Sequence, residues 1–373
     1  MTVFIRSFEV DGFRAFRHLR IDTFGRVNII TGKNNSGKSS LLEAIRILAT
    51  GAALRTIYDI LSYREELGVA SDTDKSYSPT DIAPFCNLFY GFPNLANSNQ
   101  GFSISASGDL PSAVSKMNAR ISWYVRKTDP DRQAFSYELA SGDLFDDVDS
   151  FPALDIDIGG RKRVVAMDSL QRRAWTRGQP DENVNPCVYL DPFSSRTTGQ
   201  MGALWDAIAL TDAEPELVKA LRVISDDIQA VSMIGSGHPS TRPRTAIVKS
   251  GRHASPLPLR SFGDGVNRLF GIILSLCNAR NGVLLVDEIE NGLHYSVQEE
   301  IWRTIFRLAR DLNVQVFATS HSWDCVSAFQ RAARESPEDG VLVRLTKKDG
   351  NATPTVFREE EMNIVTRDQI EVR

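Results

Sequence analysis

Hydrophobic and polar positions change period several times along the chain, and each change marks an element. Residues 3–10 (VFIRSFEV) alternate apolar and polar, the period of a half-buried strand. LRID at 19–22 and RVNIIT at 26–31 read as further strands, the second apolar enough to be buried on both faces. After a glycine-rich turn at 32–37, SSLLEAIRILATG sets Leu41, Leu42, Ile45 and Leu48 at helical spacing, with Gly51 as a C-cap. LRTIYDILSYREEL predicts a second helix, and SDTDKSYSPTD a turn-rich stretch. From 101 to 165 the pattern returns to alternation, divided by Gly, Asp and Pro turns, and predicts an antiparallel meander. CVYLDPF (187–193) reads as a strand leading out of it. Residues 200–232 read as helical, and 235–258, rich in Gly, Pro, Ser and Thr, as a hairpin. From 261 helix and strand alternate (GVNRLFGIILSLCNAR, GVLLVDE, SVQEEIWRTIFRLARDL, VQVFATS), which implies parallel βαβ units. VLVRL and PTVFR add two short strands. No internal repeat and no sustained heptad pattern is present.

Composition narrows the class. The 373 residues suggest two or three domains of roughly 150 residues each. With 42% hydrophobic and 24% charged residues the chain has the make-up of a folded globular protein. The 43 Lys and Arg against 47 Asp and Glu leave a net charge of −4, with no global attraction for nucleic acid or anionic membrane. Local clusters remain at Arg126-Lys127, Arg161-Lys162-Arg163 and Arg172-Arg173, readable either as DNA contacts or as solvated surface. Cys86, Cys187, Cys277 and Cys325 are far apart and form no C-x-x-C pair, which points to reduced thiols rather than disulfides or zinc. The N-terminus has no signal-like apolar segment, and no apolar run approaches a membrane span. A cytoplasmic location is expected.

Four motifs carry chemistry. Gly32-Lys33-Asn34-Asn35-Ser36-Gly37-Lys38-Ser39 matches G-x-x-x-x-G-K-[ST] between a strand and a helix that continues through Ser40. Glycines let such a loop turn its backbone N–H groups toward phosphates, and the helix N-terminus adds positive potential. Lys38 is then expected to bridge the β- and γ-phosphates, and the Ser39 hydroxyl to ligate Mg²⁺. Second, the apolar strand Val283–Val286 ends in Asp287-Glu288, where α/β sheets place ligands. Asp287 suits the metal and Glu288 the attacking water, as general base. Third, Thr319-Ser320-His321 ends the next strand. A lone histidine is ordinarily structural, but one βα unit after the acids His321 is placed to sense the γ-phosphate. Fourth, Ser261-Phe262-Gly263-Asp264-Gly265 precedes a helix, as a simple cap or a second anion site.

The order P-loop, S-x-G-D turn, acid pair, histidine resembles the ABC ATPases of the RecF, SMC and OLD-like branch. So do Gly12-Phe13-Arg14-Ala15-Phe16, ITGKNNSGKSSLLEAI and DEIENGLH. The resemblance implies an α/β fold: a P-loop NTPase core of ABC type with a mainly parallel sheet, an antiparallel β-lobe and a helical lobe. It implies ATP and Mg²⁺ as cofactors. It also implies a head-to-tail homodimer in which Ser261 and Gly263 reach ATP on the other chain and Asn291, Gly292 and Leu293 meet the partner site. Arg14 is expected near the nucleotide. The chain departs from the family pattern at Phe262, where a glycine is usual, and at the glutamine loop, for which Gln200, Asp191 and Arg196 are the candidates. With 52 residues after His321 (373 − 321), a nuclease domain in this chain is not expected.

The expected division is 1–51 with 261–373 as ATPase core, 52–190 as β-rich insertion and 191–260 as helical lobe. The expected function is an ATP-hydrolysing dimerisation switch in DNA-linked work, repair or antiviral defence, with DNA or an effector nuclease as partner. A nucleotide-sensing scaffold with negligible turnover, or a RecF-like repair protein, is the alternative. A transporter subunit fits poorly with the altered signature turn and the β-rich insertion.

Overall fold

The first strands do not join the P-loop strand. In the computed structural model β1 (Ser7–Phe13) and β2 (Phe16–Ile21) form a hairpin with Phe8 opposite Ile21 and Phe13 opposite Phe16. The residues described are 3–67, 83–94, 101–110, 115–129, 134–140, 150–166, 184–192, 198–235, 244–337, 339–348 and 350–367. β3 (Val27–Thr31) is buried at every position and runs into the P-loop. Helix α1 (Lys38–Ala49) follows, then α2 (Leu54–Tyr63).

Next come β4 (Gly101–Ser107), β5 (Lys116–Asp129), β6 (Ala134–Leu139), β7 (Ser150–Ile158) and β8 (Arg161–Ala166). They extend the first hairpin into one antiparallel sheet, ordered β2-β1-β4-β5-β7-β8, with β6 paired to the far end of β5. The alternating stretch 101–165 therefore is antiparallel, as its period implies, and the N-terminal hairpin belongs to the same sheet.

β9 (Cys187–Leu190) returns the chain to the core. Helices α3 (Thr198–Asp206) and α4 (Ala213–Leu221) follow, then β10 (Ile228–Ile234), β11 (Thr245–Ser250) and the two-residue β12 (Leu257–Pro258), which form a small antiparallel sheet. The helical reading of 200–232 thus fails after Leu221. Burial along Ile228–Ile234 favours Ile228, Val231 and Met233, and β-branched residues fit a pleated surface better than a helix. The hairpin expected over 235–258 has β11 as its second strand, but its first strand is β10.

A short 3₁₀ turn (Leu259–Phe262) leads to α5 (Asp264–Asn278), β13 (Val283–Val286), α6 (Tyr295–Asp311), β14 (Gln315–Thr319), α7 (Trp323–Ala333), β15 (Gly340–Lys348), β16 (Asn351–Phe357) and α8 (Glu359–Arg367). The core sheet is ordered β16-β15-β3-β14-β13-β9, parallel throughout except for the antiparallel edge strand β16. β3, β13 and β14 are buried at every position without alternation, because both faces are covered. Ile30, Leu285 and Phe317 pack with α1, α2 and the antiparallel sheet. Ile29, Leu284, Val286 and Val316 pack with α5, α6 and α7. Among the described residues no helix is long and apolar enough to cross a membrane. All four cysteines are free thiols.

Candidate nucleotide-binding and catalytic site

The strand order puts β14 between β3 and β13, so the P-loop, the histidine turn and the acid pair emerge side by side from the carboxyl edge of one parallel sheet. That edge is where open α/β sheets hold ligands.

Two glycines fix the P-loop. Gly32 has φ 143°, and a Cβ there would stand 2.3 Å from the Leu345 carbonyl oxygen. Gly37 has φ 100°, and a Cβ there would meet the Phe16 ring at 2.7 Å. The loop is thus wedged between β15 and the turn of the β1–β2 hairpin. Gly37 is also the N-cap of α1, with no side-chain cap and no acid in the first turn. The first N–H groups of α1 are left for an anion. Ser36 Oγ is buried without a hydrogen-bond partner. Asn34 and Asn35 are exposed, Ser39 is half-buried and Ser40 is buried. Lys38 is 6% exposed. Its Nζ donates to the carbonyls of Gly32 at 2.7 Å and Lys33 at 3.0 Å. Burial pushes the Lys38 amine down to about 8, and the charges of Asp287, Glu288 and Glu290 oppose that shift.

Thr319 organises the acids. Its hydroxyl donates to Asp287 Oδ1 at 2.5 Å and accepts the backbone N–H of Glu288 at 2.8 Å. Tyr189, on β9, donates to Asp287 Oδ2 at 3.4 Å. Glu288 adopts φ 47°, rare for a residue with a side chain. Its Oε2 accepts from Asn291 Nδ2 at 2.7 Å, and its Oε1 lies 3.9 Å from His321 Nε2. The His321 backbone N–H donates to Glu290 Oε1 at 2.6 Å, while Glu290 Oε2 is buried and unpartnered. The structure brings Lys38, Asp287, Glu288 and His321 to one place. The oxygen donors of Ser39 and Asp287 are the hard type that Mg²⁺ takes, and the open α1 N-terminus and buried Ser36 hydroxyl fit a polyphosphate.

Sequence reasoning missed Arg268. This guanidinium is 2% exposed inside α5. It donates to the carbonyls of Asp191 at 2.9 Å, Asp287 at 2.9 Å and Glu288 at 3.1 Å. Burial lowers its pKa, and the nearby acids Asp191, Glu290, Asp287 and Glu288 counter that. The available signal was an arginine in the apolar helix GVNRLFGIILSLC, a position that requires partners. Of the glutamine-loop candidates, Asp191 follows β9 at the site edge, with Leu190 paired to Val286. Arg196 lies outside the described residues, and so does the side chain of Gln200 in α3.

Arg14, expected near the nucleotide, is engaged with acids on α1 and beyond α2. The Arg14 turn does lie against Gly37, but its guanidinium is committed elsewhere. It forms a 2.6 Å ion pair with Glu43 and donates to Glu66 at 2.8 and 2.9 Å. The contact between Arg14 Nε and Glu43 Oε2 is an ion pair without hydrogen-bond alignment. Arg64 donates to the other Glu43 oxygen at 2.6 Å. Burial raises the Glu43 pKa, and Arg14 and Arg64 offset this. Arg14 thus ties the hairpin to α1.

Ser261 and Gly263 are exposed, and the space where a Gly263 Cβ would lie is open. A Cβ on Gly265 would approach the Gly292 carbonyl to 3.2 Å, so the signature turn and the 291–293 loop adjoin within one chain. Among the basic clusters, Lys127 pairs with Glu138 at 2.6 Å, and Arg163 donates to the Ala52 carbonyl. Arg172-Arg173 and the Arg126 side chain lie outside the described residues.

What the sheet order and its three functional strand ends define is a P-loop ATPase of the ABC type. The AAA domain family matches residues 7–87 and the AAA ATPase domain family residues 207–326. An "ATP/GTP phosphatase" of Helicobacter pylori is 24% identical over 96% of both chains. The "DNA replication and repair protein RecF" of Thioalkalivibrio sulfidiphilus is 46% identical over 52 residues, 14% of each chain. The solved structure of an SMC head bound to the C-terminal winged-helix domain of ScpA shares the fold, with TM-score 0.50 at 12% identity over 96% of this chain and 99% of that one. The chain is thus similar to the RecF/SMC branch of the ABC-type P-loop ATPases in its motifs and in its fold.

Proposed function

We propose that the chain hydrolyses ATP through Glu288 and uses the reaction as a dimerisation switch. The observation that carries this reading is the Thr319 hydroxyl, which fixes Asp287 and the Glu288 backbone together beside His321 and Lys38.

In this reading the phosphates lie on the 32–39 loop, with Asn34, Asn35 and Ser36 along their path. Ser39 and Asp287 would hold Mg²⁺, which would neutralise phosphate charge. Lys38 exchanges the carbonyls of Gly32 and Lys33 for β- and γ-phosphate oxygens. Glu288 accepts a proton from water as the water oxygen bonds to the γ-phosphorus and the bond to the ADP oxygen breaks. His321 contacts the γ-phosphate and loses that contact after hydrolysis.

Exposed Ser261 and Gly263 support a trans contact to ATP on a second copy. Closure then adds γ-phosphate contacts and hydrolysis removes them, so nucleotide state sets dimer state. The likeness to a DNA replication and repair protein supports DNA-linked work such as repair, with DNA reading the closed form; antiviral defence, with an effector nuclease as reader, is the other setting for the same switch.

Light scattering on Glu288→Gln with and without Mg-ATP tests this. Doubling of mass with ATP is expected. Unchanged mass together with wild-type turnover in the same variant would remove both the base and the switch.

A further inference from the structure

The β1–β2 hairpin turns one face to the core and the other outward. Phe8, Val10, Leu19 and Ile21 point inward and are buried. The strand period of two then puts Glu9 and Asp11 together on the outward face. The register sets His18 opposite Asp11 and Arg20 opposite Glu9. Charge pairing across the hairpin would join each acid to the base it faces. Only one of those pairs forms. His18 Nδ1 lies 2.6 Å from Asp11 Oδ1. Arg20 turns away, and its Nε donates to Asp22 Oδ1 at 2.8 Å. Among the described residues no hydrogen bond or ion pair reaches the Glu9 carboxylate. Instead, a Glu9 oxygen comes within 4.8 Å of ligand atoms of both Asp11 and His18. Two carboxylates this close repel each other unless a cation joins them. Ser103, opposite Asp11 on β4, donates to the second Asp11 oxygen, Oδ2, at 3.3 Å. Ligating carboxylates are commonly held by such an outer hydrogen bond.

We propose that Glu9, Asp11 and His18 bind a divalent transition-metal ion, Zn²⁺ being the ion their chemistry suits. One imidazole nitrogen with two carboxylate oxygens is a donor set for such ions, whereas Mg²⁺ and Ca²⁺ favour oxygen alone. Donors about 2.0–2.2 Å from a tetrahedral ion stand roughly 3.3–3.6 Å apart. The three side chains, two half-buried and one exposed, reach that spacing by small rotations. The ion takes the place of the proton that His18 and Asp11 share, Ser103 orients Asp11, and water completes the coordination. The site lies on the hairpin whose turn backs Gly37, and it does not depend on the nucleotide reading.

The test is equilibrium dialysis of the full chain, reduced and free of nucleotide, against Zn²⁺ alone. Wild type is compared with His18→Ala, Asp11→Asn and Glu9→Gln, and bound zinc is counted per chain. Wild type is expected to hold one ion that each variant binds at least about tenfold more weakly, since even an outer partner of a ligand is worth that much. Thermal unfolding supplies the second readout. Zinc should raise the melting temperature of wild type more than that of any variant, because an ion that binds only the folded chain stabilises it. Glu9→Gln is the decisive variant. It removes no hydrogen bond from the metal-free hairpin, so in EDTA it should melt like wild type. If the hairpin carries only a His18–Asp11 hydrogen bond, Glu9→Gln takes up zinc as wild type does, and that result overturns the site. Equal uptake by wild type and all three variants would put the ion elsewhere, on a cysteine for example, and overturns it too. So does a wild type that holds no zinc.

Discussion

The Thr319 hydroxyl donates to Asp287 Oδ1 at 2.5 Å across neighbouring parallel strands. The register explains the contact: Ala318 pairs with Val286, so the next residues, one on each strand, end side by side. The same oxygen accepts the Glu288 N–H at 2.8 Å, and one methyl-sized group thereby orients both acids. Thr319→Val keeps the volume and leaves two buried polar groups unpaired, at a cost of about 1–3 kcal/mol. Where the acids act in the transition state, turnover should fall roughly 100-fold, the equivalent of about 2.7 kcal/mol. Thr319→Ser, which retains the hydroxyl, should recover most of it. Steady-state kinetics decide the point, and a valine variant close to wild type would show that the acids hold their positions without Thr319.

Lys38 gives the site a pH dependence of definite sign. Burial pushes its amine from 10.5 down to about 8 in the folded chain. Between those values the unfolded chain holds a proton that the folded chain has released, so Lys38 makes the nucleotide-free protein gain stability as pH rises from about 8 to about 10.5. Nucleotide acts in the opposite direction, because phosphate charge favours the ammonium form. Binding at pH 9 must take up a proton, and affinity should fall by up to about tenfold per pH unit above about 8. Titration calorimetry in buffers of different ionisation enthalpy measures that uptake. Lys38→Arg, which stays charged, should bind without it. Uptake unchanged by that substitution would assign the proton to another group.

Much of this architecture is legible in the sequence because the signals are local. The loop 32–39 lies between an apolar strand and a helix, and Asp287-Glu288 and His321 end apolar strands, so each could be located from its own neighbours. The departures come from tertiary pairing. Nothing within Ser7–Ile21 tells that this hairpin pairs with Gly101–Ser107 rather than with Val27–Thr31, since alternation specifies a strand and not its partner. Ile228–Ile234 continues a helical stretch in composition and becomes a strand only by pairing with Thr245–Ser250. Arg14 stands out by its motif, and its partners Glu43 and Glu66, set by where α1 and the end of α2 pack, are not legible from it.

Arg268 should govern both stability and turnover. Its three bonds to the carbonyls of Asp191, Asp287 and Glu288 join α5 to the ends of β9 and β13. Arg268→Met fills a similar volume but leaves those carbonyls unpaired and the surrounding acids uncompensated. The loss should be about 3 kcal/mol, as for a broken buried ion pair. Urea unfolding measures it. Arg268→Lys supplies one ammonium in place of a planar fork and should restore part of the stability but not the full set of bonds. A methionine variant as stable as wild type would mean that the carbonyls find other donors.

Arg14 separates a structural ion cluster from a nucleotide ligand. Its guanidinium is held by Glu43 at 2.6 Å and by both Glu66 oxygens, and Glu43 has Arg64 on its other oxygen. Burial already disfavours the Glu43 charge. Arg14→Ala therefore leaves a buried carboxylate with one partner instead of two. Stability should fall by about 2–4 kcal/mol, since the loss of one member of a buried pair exposes the desolvation cost of the other. ATP affinity, measured well below the unfolding temperature, should stay within about twofold, because the phosphate cradle keeps Lys38 and the α1 N-terminus. Arg14→Ala with Glu43→Gln should regain part of the stability, as the uncompensated charge is removed with its partner. If ATP affinity instead fell more than about tenfold, the 1.4 kcal/mol that a direct phosphate contact readily exceeds, with stability intact, the guanidinium would have to leave Glu43 and Glu66 for the nucleotide.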